Sequence, residues 1–322
     1  MDFLKVAFTL LLAGTMLGGC GDDGGGTDTS ITVDGGGDTA PSDMCMTGDA
    51  LFYAASVLDV GQADPTGDPS IVPGFNLDGI VSDGTDTEGC LHTDFTSPPP
   101  DNEPGVDNQL GPILSAVGSS LDVSGQLAEN VLDGTLLILF EVLNVDDSMN
   151  DGCVTLNLYL GQLTGGAMTA VDADGDGIID GGQTFDLNPE SLGPGEAPLV
   201  SVQGQIVNGR LSAGPIDIML NLPIEGGLLL NIRNAQVRMT FAGDNITSGV
   251  IGGALNVEET VTTIVAIDPD TIPEALARSV LNAQADLEPD DAMGGACTAV
   301  SVGLTFEGVP AVKGVVGAAA MP

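Results

Sequence analysis

The chain has 322 residues, of which 46 are acidic and only 6 are Lys or Arg, giving a formal charge of -40 at pH 7. Phosphate recognition needs clustered basic side chains, and past the amino-terminal segment the cations are Arg210, Arg233, Arg238, Arg278 and Lys313, scattered along the chain. Nucleic acid is therefore excluded as a partner, and anionic lipid headgroups would be repelled. The acid is mostly Asp, a residue of turns and calcium loops more than of helix surfaces, which places the charge in loops. General solubility in a salty or calcium-rich exterior would account for most of it without any site.

Residues 3–17 form an apolar run too short to cross a bilayer comfortably, with one positive charge, Lys5, near its start and Asp2 offsetting it. This is the layout of an export signal. The run closes on Leu17-Gly18-Gly19-Cys20, which resembles the lipobox of bacterial lipoproteins. That resemblance implies removal of residues 1–19, lipidation of Cys20, and an anchor of several acyl chains that needs no basic residues to hold it. Gly21, where a retention signal would place Asp, implies sorting to the outer membrane or cell surface. The alternative is an ordinary secreted protein with Cys20 in a disulfide. Residues 20–47, rich in Gly, Asp and Thr, have almost nothing to bury and form a flexible tether.

From residue 48 onward apolar residues are frequent enough to build a sizeable core. One β-rich domain, residues 48–322, is expected, with two packed halves at about 48–198 and 199–322 as a variant. Cys45, Cys90, Cys153 and Cys297 make an even set in an exported chain, hence two disulfides with three possible pairings. Asn76, Asp78, Asp83 and Asp86, close to Cys90, form a weaker metal candidate whose spacing matches no derivable loop, so Gly-Asp turns are the alternative. His92 is the one histidine in the chain. It stands between Cys90 and the prolines at 98–100, where a structural loop histidine is the simpler reading than a catalytic one.

Leu110, Ile113, Leu114, Val117 and Leu121 follow helical spacing, whereas residues 136–140 read as a buried strand and Val154, Leu156, Leu158 and Leu160 alternate as a half-buried one. Asp172, Asp174, Asp176 and Asp180 then occupy positions 1, 3, 5 and 9 of a stretch that resembles an EF-hand-type calcium loop. Gly177 stands at the sharp turn, and Ile178 offers its backbone carbonyl at position 7. Gln183 falls where the bidentate Glu would be, and the glycine-rich flanks are unlike helices. The resemblance implies a lone structural calcium loop with Asp172, Asp174, Asp176, Ile178, Asp180 and Gln183 as ligand positions; an acidic solvated turn is the alternative.

Ile216, Ile218, Leu220, Leu222 and Ile224 alternate, then Leu228, Leu230 and Ile232, then Val237, Met239 and Phe241, with turns expected at residues 225–227 and at Asn234-Ala235. Val257, Val261, Ile264 and Val265 have helical spacing behind Glu258 and Glu259, whose charges suit a first turn. Another helix is expected behind Pro273, with Leu276, Val280 and Leu281 on one face. Val300, Val302 and Leu304 alternate once more. Together these elements predict a mainly β, antiparallel, sandwich-like domain with a few short helices, a sandwich being favoured over a barrel.

A serine hydrolase elbow and a phosphate loop are absent from the sequence. Paired carboxylates could serve a glycosidase, but with no Trp and two Tyr an aromatic sugar platform is not to be expected. With its lipobox, acidic tether and stretches such as Gly105-Val106-Asp107-Asn108-Gln109, the chain resembles the acidic, cysteine-containing surface lipoproteins of bacteria. The expectation is a lipid-anchored, calcium-stabilised envelope module with a non-catalytic binding or structural role. A secreted carboxylate-dependent hydrolase is the alternative.

Overall fold

The computed structural model describes residues 45, 48–63, 67–87, 90–111, 123–222, 228–267, 273–290 and 295–317. The lipobox, the tether up to residue 44, most of the helix expected at residues 110–121 and the turn at 225–227 lie outside them. In chain order the elements are β1 (Asp49–Val60), β2 (Phe95–Thr96), β3 (Pro104–Val106), α1 (Val123–Leu132), β4 (Ile138–Val145), β5 (Asn150–Leu163), β6 (Thr184–Leu187), β7 (Val200–Val207), β8 (Arg210–Leu222), β9 (Leu228–Ala242), β10 (Asn245–Asn256), α2 (Val257–Ile267), α3 (Glu274–Ala283), β11 (Leu287–Asp290), β12 (Ala296–Pro310) and β13 (Val312–Val316).

The fold is mainly β and antiparallel, as the alternating segments require. Its strands run β5-β4-β1-β12-β10-β9-β8-β7, and β7 pairs back onto β5 through Leu158↔Val200 to Asn150↔Val207. The two faces of a sandwich are thus joined along both edges into a ring of eight strands among the described residues, which leaves no open edge in that ring. β1 lies between β4 and β12, so the ring interleaves strands from both parts of the chain.

The alternating apolar positions fill its interior. Tyr53, Phe140, Leu156, Ile218, Met239, Leu304 and Phe306 are all buried there, each large side chain contributing about 1.5–3 kcal/mol by leaving water. Phe140 stacks on Phe306 with ring centroids 4.6 Å apart, and Tyr53 on Phe241 at 5.8 Å. Gly249 faces this stack, and a Cβ there would fall 2.3 Å from the Phe306 ring. The ring can sit where it does because that position carries no side chain.

One expected turn is instead a bulge. β9 runs unbroken from Leu228 to Ala242, with Asn234 at φ 50° and the register slipping between Arg233 and Gln236. Leu230 and Ile232 point inward before the bulge, Ala235, Val237 and Met239 after it. An extra residue that shifts the inward phase from even to odd positions looks, in sequence, like a chain reversal.

Helices α2 and α3 form where helical spacing predicts them, α2 with Glu258 and Glu259 in its first turn and α3 with Pro273 as its N-cap. They pack on each other and on β12 through Val257, Val261, Ala277, Leu281, Ala285 and Val300. Helix α1, unexpected from sequence, packs Leu127 and Val131 into the main core. Cys45 pairs with Cys153, and Cys90 with Cys297, each at disulfide distance. The second pair ties the loop-rich excursion between β1 and α1 to β12, covering the strand's outer face.

Each cation of the described residues is engaged inside the molecule. Arg210 and Arg238 both reach Asp101, Arg238 also meets Glu103, Arg233 meets Glu259, and Arg278 meets Glu258 and Glu274. Lys313 on β13 lies 2.7 Å from Glu141 of β4, whose carboxylate also accepts hydrogen bonds from Tyr159 and Asn157. Burial alone would raise the Glu141 carboxyl, but the Lys313, Tyr159 and Asn157 hydrogen bonds outweigh it and hold the group below its ordinary value. Among the described residues no helix is long and apolar enough to cross a membrane.

Candidate metal loop and the buried acids

Between β5 and β6 the chain makes a compact loop. Gly175 and Gly177 take φ of 76° and 87°, conformations that a side chain would strain. These glycines let the backbone fold around the Asp172 carboxylate, which accepts the amides of Gly175 at 2.8 Å, Asp176 at 3.2 Å and Gly177 at 3.0 Å. Those bonds, that from Gly177 foremost, hold the Asp172 carboxyl below its ordinary value. Asp174 and Asp176 cap the amides of Asp176 and Ile178 in turn.

Asp172, Asp174 and Asp176 offer carboxylate oxygens that all lie within 4.8 Å of one another, the only such acidic or metal-ligating group of three among the described residues. Like charges at that separation repel unless a cation joins them. The donor set is all oxygen, which suits a hard cation over zinc or copper.

Other expected ligand positions have other work in the structure. Asp180 accepts the amide of Ala173, while Gln183 accepts from Val171 N and donates to Val171 O and Asp180 O, closing the loop like a clasp. Ile179 is buried and roots the loop in the core, whereas its neighbour Ile178 lies at the surface. Gly182 N bonds Pro310 O, joining the loop's far end to β12.

The second candidate set is organised as turns. Asn76 bonds Ile80 O and Gly79 N, Asp78 caps Ile80 N, and Asp83 caps Thr85 through backbone and hydroxyl. Asp86 contributes its carbonyl to Leu91 N. His92 is half-buried, which lowers its pKa by disfavouring the charged ring, and its ring makes no hydrogen bond among the described residues.

Sequence reasoning missed the acids that are most deeply placed. Asp107, Asn108 and Gln109 are buried where the excursion crosses β12. Asn108 donates to Gly61 O and Pro73 O and accepts from Gly303 N; Gln109 N donates to Ser301 Oγ. Asp107 accepts the Leu77 amide at 2.6 Å. Asp286, just before β11, accepts both the amide and the hydroxyl of Ser301. Burial pushes Asp107 up to about 8 and Asp286 up to about 7, despite those hydrogen bonds. Burial likewise raises Asp94, which lies close enough to both to add to the repulsion.

No family model, curated protein or solved structure matches the chain.

Proposed function

We propose that the chain is a lipid-anchored, non-catalytic module of the cell envelope, held at the outer membrane or cell surface through Cys20 and stabilised by calcium in the Asp172 loop. The convergence of three carboxylates on a loop already closed by Gln183 and Asp180 carries the calcium reading. Asp172, Asp174 and Asp176 would hold the ion, which would offset their repulsion and tie the loop together; Ile178 and Asp180 remain further ligand positions to test. The anchor rests on Leu17-Gly18-Gly19-Cys20 and on the tether behind it.

A melting curve of the mature chain in calcium and then in EGTA tests the metal. At a hundredfold excess over the dissociation constant, binding to the folded state alone adds about 2.7 kcal/mol, a shift of several degrees. Asp174→Ala with Asp176→Ala should abolish it. No shift at millimolar calcium would reduce the loop to a solvated turn. Incorporation of a labelled fatty acid, lost in Cys20→Ser, tests the anchor separately.

A further inference from the structure

A groove of about 1000 Å³ runs over the outer faces of β7, β8 and β9 and is walled on one side by the excursion before α1. Cross-strand register builds its floor. Gln205 of β7 is opposite Ser212 of β8, and Ser212 is opposite Arg238 of β9; Gln203 and Gln236 line the groove beside this row. The side chains of Gln203, Gln205, Ser212 and Gln236 make no hydrogen bond among the described residues, and all four carry both a donor and an acceptor. Arg238 is different. Its guanidinium meets Asp101, Glu103 and Gly74 O and lies 4.9 Å over the Phe75 ring, so both its charge and that aromatic face are engaged.

We propose that this groove binds a neutral oligosaccharide, through the carboxamides of Gln203, Gln205 and Gln236 and the hydroxyl of Ser212. An anion would find the one cation on the floor already paired, on a chain with a formal charge of -40. An apolar ligand would bury four polar side chains without partners, at a cost of about 1–3 kcal/mol each. Vicinal hydroxyls donate and accept as a carboxamide does, and a groove at the upper end of the usual ligand-site range admits several sugar rings. With no free aromatic face to stack on, affinity is weak, with a dissociation constant on the order of 1 mM. The inference names a ligand for the binding role in the proposed function and uses none of the Asp172 loop.

The test is a calorimetric titration of the mature chain with maltohexaose, cellohexaose, laminarihexaose and chitohexaose. It is run in EGTA on protein shown to be folded by circular dichroism, so its outcome is separate from that of the calcium melt. Saturable binding of one of them, weakened at least about tenfold (about 1.4 kcal/mol) by Gln205→Ala with Ser212→Ala at an unchanged melting temperature, is the expected result. Gln203→Ala with Gln236→Ala should weaken it as well. The proposal is overturned if none binds up to about 10 mM, if binding ignores both pairs of substitutions, or if an uncharged Gly-Ser peptide saturates the groove in their place.

Discussion

Acidification should stabilise this protein, and Asp286→Asn should remove part of the effect. In the folded chain Asp107 and Asp286 hold protons to about pH 8 and about pH 7, while the unfolded chain releases them near the ordinary aspartate value of 3.8. A carboxyl raised on folding stabilises the protein fully below its unfolded pKa and loses that contribution as pH rises through the folded value. The window is therefore about pH 4 to 8, with stability falling as pH climbs. Between about pH 8 and pH 5 the folded state keeps the Asp107 proton over most of three units and the Asp286 proton over about two; at about 1.4 kcal/mol per unit, the ceiling is on the order of 6 kcal/mol. For a chain of this size that is a rise on the order of 10 °C in melting temperature. Differential scanning calorimetry in EGTA across this range reads it directly. General repulsion among the surface acids acts in the same direction, so the variant decides the matter. Asp286→Asn keeps the shape and an acceptor for Ser301, should melt higher than the parent at pH 8, and should flatten the slope by on the order of 3 kcal/mol. A parent that melts lower at pH 5 than at pH 8, or an Asp286→Asn chain that melts lower than the parent at pH 8, would refute the reasoning.

Lys313→Met leaves Glu141 without its cation beneath β13, and should cost roughly 2–3 kcal/mol in urea unfolding, with the loss shrinking when Glu141→Gln is combined with it. Gly249→Ala should displace the Phe306 ring from Phe140 and cost about 1–3 kcal/mol by overpacking, visible as a lower melt with unchanged far-ultraviolet dichroism. Removing the Cys90–Cys297 link, which spans a sequence separation of 207, should cost up to about 5 kcal/mol; Cys90→Ser with Cys297→Ser would show it, and peptide mapping without reductant should recover that pairing.

The strands were legible because one buried face writes itself as alternation: Ile218 and Leu220 are buried, while Asp217, Met219 and Asn221 between and beside them are exposed. Closure of the ring was not legible. The pairing of β7 with β5 is made by backbone groups, and no side-chain pattern announces it. The β9 bulge shows the limit of phase as a signal, since Asn234 marks a shift in face that resembles a turn. At the site, the order Asp172, Asp174, Asp176 was readable because the geometry of such a loop is local. Spacing places Gln183 at a ligand position, and only the folded loop shows its carboxamide bonding Val171 and Asp180. The buried acids gave no warning. In a chain so rich in Asp, Asp107 and Asp286 look like the solvated ones, and only the folded excursion separates them.

The Cys45–Cys153 link also decides how the molecule takes a pull. A load arriving from the amino-terminal side reaches Cys45 before it reaches β1, and the covalent bond diverts it to Cys153 on β5. There the strand is bonded on both flanks, to β4 and β7. Force would have to shear β5 from two neighbours at once before it could unzip β1 from its end, so the barrel is gripped by its wall and not by a loose thread.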